Sequence, residues 1–283
     1  MALSTPNDQV SSRYNGHGFE GTRSPLLARR DHDQPSVFRP ENMLREARRQ
    51  KGIREGSVPR ICVLDPDGDV ARYVKQQHDA RRSAAWACYH TELWEWNVVG
   101  TMHGIIGSAV GGAFAVLVAE QLFASGCEVL ISISSAGQIT PIAPPPYHIV
   151  IDRALRDEGT SHHYLPPSEY AAGNPRLLAL AAGAFRAAGC CLVRGATWTT
   201  DAPFRETAEA IAARSAAGIL AVEMEAAGLY AFAAACDVPV ICLAHVTNQL
   251  GRIEGDFEKG DGNGVCSSID LIAAFSAAWQ GAR

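Results

Sequence analysis

The stretch AVEMEAAGLYA, residues 221–231, sets Glu223, Met224 and Glu225 inside a run of alanines. Alanine-rich sequence forms buried helices readily, and it predicts a helix from about Met224 to Cys236. On a helix, positions i and i+2 lie about 200° apart. The two carboxylates would then point to opposite sides, and an apolar helix has no packing use for either. Outward from this stretch the texture alternates. CCLVRGATWTT (190–200) reads as a strand and DAPFRETAEAIAARSAAG (201–218) as a loop and helix. PVICLAHVTN (239–248) follows as a strand and SSIDLIAAFSAAWQG (267–281) as a helix.

Towards the N-terminus the alternation continues. RICVLDPDGD (60–69) is a β-branched run ending in a turn. WNVVGTMHGIIGSAV (96–110) reads as two strands joined through Gly100, and GGAFAVLVAEQLFASG (111–126) as a buried helix with glycine at both ends. EVLISISSAGQI (128–139) and YHIVIDRAL (147–155) are strands, and NPRLLALAAGAFRAAG (174–189) is a helix. Strands alternating with helices of this length predict an α/β fold. We expect a single-domain αβα sandwich around a mixed, largely parallel central sheet over residues 58–283. PENMLREARRQKG (40–52) predicts a short basic helix, with Pro at its start and Gly52 as its stop. Residues 36–57 are expected to form an N-terminal arm, and the polar, aperiodic residues 1–35 a flexible tail.

Composition narrows the function classes. The chain has 283 residues, 47% of them hydrophobic, and a net charge of −5. That charge argues against nucleic acid as partner. Residues 1–60 hold 11 Lys+Arg and 7 Asp+Glu, a balance of +4, so the remainder carries −9. The eight cysteines form no CxxC pair, and we read them as reduced core residues of a cytoplasmic protein. The longest apolar stretch, Gly104–Ala119, is broken by Ser108 and four glycines, and the N-terminus lacks a signal-peptide pattern. No membrane partner is expected.

In open α/β sheets ligands gather at the carboxyl ends of strands. LDPDGD (64–69), SISSAG (132–137), RDEGTSHHY (156–164), TWTTDAPFRE (197–206) and HVTNQ (245–249) all fall there. With AVEMEAAGLYAFA, they resemble the nucleoside phosphorylase superfamily, nearest its uridine phosphorylase branch. The resemblance covers the chain from about Val58 to its end. It implies cleavage of the N-glycosidic bond of a ribonucleoside or nucleotide. By that resemblance Glu225 accepts hydrogen bonds from the sugar hydroxyls and Met224 packs on the sugar. A fixed anion there stabilises an oxocarbenium-like transition state more than the neutral substrate. Glu223, turned the other way, is a weaker candidate at the sugar. Ser135 and Gly137 lie in the family's SSAG segment, and Asp201, Phe204 and Arg205 in its base-recognition loop. Asn248 stands where purine-acting members carry an aspartate, which favours a pyrimidine or lactam-like base.

The sequence departs from the phosphorylase pattern at the phosphate. Asp69 precedes Val70 where the family places an arginine, and Ser132 stands at the second arginine position. A phosphate dianion normally meets bidentate arginine. The hydrolytic nucleosidases of the superfamily carry an acid in that first loop, so Asp69, or Asp67, is the expected general base for water. Arg39, His90 or Arg205 would be the cations of a rebuilt phosphate site, the alternative being phosphorolysis. Arg39 also stands where uridine phosphorylases place a residue that reaches a neighbouring subunit's ribose, because SVFRPENML (36–44) resembles their N-terminal segment. The resemblance therefore implies a homo-oligomer, dimer or hexamer, with shared active sites. No metal or cofactor is expected, inorganic phosphate apart if the reaction is phosphorolytic. Adjacent His162 and His163 on an extended segment would point apart. A non-catalytic nucleoside-binding sensor is the reading from a different class.

Overall fold

The computed structural model describes residues 26, 31–77, 79–190, 192–250 and 254–282. The expected tail lies almost wholly outside the described residues. Helix α1, Pro40–Lys51, begins on proline and ends at Gly52 in the left-handed region, φ 64°. It buries Leu44 and Ala47 against Ala87 of its own chain.

Strand β1 (Ile61–Asp65) is buried at every position and is followed by α2 (Asp69–Lys75). The short β2 (Arg81–Arg82), then β3 (Trp94–Val98) and β4 (Thr101–Gly107), form one flank of the sheet. Helix α3 (Gly112–Ala124) leads to the long β5 (Val129–Gln138) and to β6 (Tyr147–Asp157). Next come α4 (Ser161–Tyr164), β7 (Tyr170–Ala172), α5 (Pro175–Ala187), β8 (Leu192–Thr200) and α6 (Ala208–Ala216). The chain closes with β9 (Ile219–Glu223), α7 (Ala226–Cys236), β10 (Val240–Asn248) and α8 (Val265–Gly281).

The strands run in the order β10-β6-β8-β9-β5-β1-β4-β3-β2, and β10 also pairs with β5. The path from β10 to β5 therefore returns on itself. β1 is parallel to β4 and β5, β5 to β10, and β8 to β6 and β9, whereas β10–β6, β5–β9 and β3–β4 are antiparallel. Strands covered on both faces read as continuous apolar runs, which is why ICVLD and PVICLAHV announce themselves in the sequence. Helices α1, α3 and α7 cover one face and α2, α5 and α8 the other. The expected mixed α/β architecture is the observed one.

Three local expectations are corrected. Glu223 is not on a helix: it ends the five-residue β9, and Glu225 is the N-cap of α7. His162 and His163 sit in the short helix α4 rather than on a strand. The cysteines are not uniformly core: Cys62, Cys88, Cys127 and Cys242 are buried, but Cys236 and Cys266 are exposed. No helix among the described residues is long and apolar enough to cross a membrane.

Candidate active site

The strand–helix junction after β9 brings the two acids together instead of setting them apart. Glu223 and Glu225 are 3% and 2% exposed. Glu223 Oε2 accepts the backbone N–H groups of Glu225 and Ala226, each at 2.7 Å. Its Oε1 accepts the hydroxyls of Thr197 (3.1 Å) and Thr199 (2.5 Å). These four bonds leave Glu223 committed to holding the head of α7. Glu225 turns away from its own helix. Its Oε1 accepts Gly111 N–H at 2.7 Å, just before α3, and its Oε2 accepts the Ser134 hydroxyl and Met224 N–H. Burial raises the Glu225 carboxyl to about 7, with the neighbouring Glu223 charge adding to it and the three donors opposing.

The close approach that makes this possible is built from glycine. A Cβ on Gly228 would lie 3.3 Å from the Gly112 Cα. The heads of α3 and α7 therefore converge on one carboxylate, and two helix N-termini favour an anion there.

Ser134 and Ser135 are successive residues of β5 and point to opposite faces of the sheet. Ser134 holds Glu225, and Ser135 donates to Asp67 Oδ1 at 2.8 Å. Glu225 and the first-loop acids thus flank the end of one strand. Around Asp67 stands a charge cluster. Lys259 Nζ reaches Asp69 Oδ2 at 2.5 Å and Asp67 Oδ2 at 3.4 Å, and Arg72 bonds Asp69 Oδ1. Burial raises the Asp69 carboxyl, but Lys259 and Arg72 outweigh it and hold the group below its ordinary value. Asp65, by contrast, is raised to about 6 by burial although it accepts Gly68 and Ala71 N–H groups. On the same face, His245 and His148 stack with ring centroids 4.4 Å apart.

The remaining candidates are distributed unevenly. Gly137 pairs with both Val222 and Asn248, so it and Asn248 stand beside the acid pair. The Asn248 amide is held locally, accepting Leu250 N–H at 2.9 Å and donating to Thr247 Oγ1 at 3.1 Å. Met224 is half-buried between β9 and α7. Asp201 accepts Gly159 N–H at 2.8 Å, while Phe204 and Arg205 are exposed. Arg39 caps α1 on the surface, and His90 is exposed in the β2–β3 connection near α1. Arg39, His90 and Arg205 sit on separate elements, at the head of α1, in the β2–β3 connection and in the turn after β8.

Sequence reasoning missed Ser134, Thr197, Thr199 and Lys259. The threonines carried a signal, since TWTT alternates at the end of a strand and sends Thr197 and Thr199 to one face. Lys259 carried none, because its partners lie 190 and 192 residues earlier.

The profile of one protein family, described as the phosphorylase superfamily, matches residues 60–274. The matched span contains both acid clusters and every strand of the central sheet. No curated protein matches the chain.

Proposed function

The chain belongs to the phosphorylase superfamily, whose members cleave the glycosidic bond of nucleosides, and we propose that this one does so by hydrolysis on a ribonucleoside or nucleotide. The observation that carries the reading is the Glu225 carboxylate, 2% exposed and held between the heads of α3 and α7. As the glycosidic bond breaks, positive charge grows on the sugar. A preorganised anion in a water-poor setting stabilises that charge without having to reorganise. Its remaining lone pair accepts a ribose hydroxyl, which discriminates against a sugar lacking it.

Hydrolysis is favoured by how the cations near the site are spent. Lys259 and Arg72 are paired with Asp67 and Asp69. The buried Arg156 bonds Ser161, Ser168 and the carbonyls of Leu165 and Pro166. A phosphate dianion would have to displace those carboxylates or find amides alone. Of the first-loop acids, Asp67 is the better general base. Asp69 is gripped by two cations and takes a proton poorly, while Asp67 is more exposed and holds Lys259 only loosely. Asn248 beside Gly137 supports a leaving group that needs a hydrogen bond rather than a proton, a pyrimidine or lactam-like base.

The second reading is phosphorolysis. Lys259, which bridges Asp67 and Asp69, favours it if phosphate displaces Asp67. The test is a panel of ribonucleosides and their 5′-monophosphates, with and without inorganic phosphate. Free ribose from a nucleoside, or ribose 5-phosphate from a nucleotide, formed without inorganic phosphate is expected. Phosphate-dependent ribose 1-phosphate, or ribose 1,5-bisphosphate from a nucleotide, would overturn hydrolysis, and binding without turnover would make the protein a sensor. Asp67→Asn is expected to lower kcat by roughly 10²–10⁴-fold and Asp69→Asn by far less; the reverse order would reassign the base to Asp69. The same reading takes the active unit to be a homo-oligomer with the arm of one copy at its neighbour's site.

A further inference from the structure

The head of α7 is capped in an unusual way. An N-cap side chain ordinarily turns back to accept an N–H group from its own first turn. Here the N-cap residue is Glu225, and its carboxylate makes no such bond. Three of the orphan donors at this helix head are met from outside the helix. Glu223 takes the N–H groups of Glu225 and Ala226. Thr199 takes that of Ala227 at 3.0 Å while donating its own proton to Glu223 at 2.5 Å. Thr199 is fully enclosed and lies next to last in β8. One hydroxyl thus ties a strand end, the capping acid and the helix.

We propose that Thr199 is a positioning residue: by capping α7 together with Glu223, it releases the Glu225 carboxylate from capping duty and aims it at the sugar. The physical reason is competition. A buried N–H group without an acceptor costs about 1–3 kcal/mol. Glu225, the N-cap residue itself, is the acid whose position ordinarily meets such a donor. Without the Thr199 hydroxyl, Ala227 N–H has no acceptor and Glu223 Oε1 keeps only Thr197. The helix then draws on Glu225, and the sugar loses its anion. Glu223 acts here as the cap that fixes Glu225, not as a second sugar ligand.

The inference rests on Glu225 being the ribose acid, and the experiment separates the two. Adenosine, guanosine, inosine, uridine and cytidine, with their 5′-monophosphates and 2′-deoxy counterparts, are offered to the wild type, Thr199→Val, Thr199→Ser and Glu225→Gln. The readout is the ratio of kcat/KM for the best ribonucleoside to that for its 2′-deoxy counterpart. Thr199→Val keeps the shape and removes the hydroxyl. It is expected to lower ribonucleoside kcat/KM by about tenfold or more and to shrink the ratio. Thr199→Ser restores the hydroxyl and is expected to keep both within about threefold. General loosening of the fold would lower both substrates equally and leave the ratio unchanged. If Thr199→Val leaves the ratio intact while Glu225→Gln collapses it, the inference fails and the sugar role of Glu225 stands. If Glu225→Gln leaves the ratio intact, or the wild type turns over nothing in the panel, both fall. Should Thr199→Val fail to fold, Glu223→Gln is read in the same way, with the same collapse expected.

Discussion

In the role proposed for it Glu225 acts as an anion, and its surroundings resist that state. Burial and the Glu223 charge raise its carboxyl to about 7. Turnover is therefore expected to rise with pH through about 7 as the carboxyl ionises, and a rate flat from pH 6 to 8 would contradict this role. The same shift bears on folding. The folded carboxyl holds its proton up to about 7, while the unfolded one releases it near 4.5. Between those values the folded chain binds more protons, so this group makes stability fall as pH rises. Glu225→Gln should flatten that fall by up to ~1.4 kcal/mol per pH unit, measured by denaturant unfolding from pH 5 to 7. An unchanged slope would mean that the carboxyl is not shifted. His148 works at the other end. Burial, then His245, depresses its imidazole to about 3, and its Nε2 has no hydrogen-bond partner among the described residues. The unfolded ring takes a proton near 6.5. Its contribution to stability is therefore present above that pH and lost as pH falls towards 3. His148→Phe keeps a flat ring against His245 and should flatten the acid limb of the stability curve; an unaltered limb would count against it.

At the scale of elements, the site depends on how closely two alanine-rich helices approach. A Cβ on Gly228 would meet the Gly112 Cα at 3.3 Å and the Val116 side chain at 3.4 Å. Alanine is intrinsically better than glycine inside a helix by about 1 kcal/mol, but here it must push α7 away from α3. Glu225 at the head of α7 would then be drawn from Gly111. Gly228→Ala is expected to leave the melting temperature within a few degrees, the two effects offsetting, and to cut kcat/KM several-fold. Full activity with a higher melting temperature would show that the approach has slack. This is also the scale at which the sequence is most and least legible. Buried strands such as ICVLD and VICLAHV, and helices closed by glycine, are set by local composition and read directly. The β9–α7 junction is not. GILAVE is a short apolar run without alternation, and periodicity alone cannot tell such a run from the start of a helix. The junction becomes a strand end because β8 and β5 pair with it, and pairing is not written locally. Likewise Asp67, Asp69 and Lys259 are ordinary turn and loop residues until the fold joins them. The departure of the first loop from the phosphorylase pattern was visible in the sequence; the cation that answers it was not.

At the scale of the whole molecule, the surface near the site is left apolar in a way that one chain does not use. Val37 and Phe204 are 98% and 99% exposed, and Phe38 is 72% exposed. Phe38 stands at a hollow of about 610 Å³ that runs along α3 past Leu117 to Tyr164 and Asp201. Large aromatics standing free in solvent beside a hollow are characteristic of association surfaces. A second copy with its arm at the neighbour's site would cover them and would bring Arg39 towards the proposed sugar site. The expected outcome is a dimer or larger species by sedimentation, and mixing provides the sharper measurement. On the proposed reading a Phe38→Ala/Arg39→Glu double variant lacks a working arm and Glu225→Gln a working sugar acid, so each alone should be nearly inactive. Refolded together, they form mixed assemblies in which the intact arm of one copy meets the intact Glu225 of the other. Activity should return in the mixture although neither parent has it. If the mixture stays as inactive as its parents while sedimenting as an assembly, each site is complete within one chain, and the exposed aromatics serve contact alone.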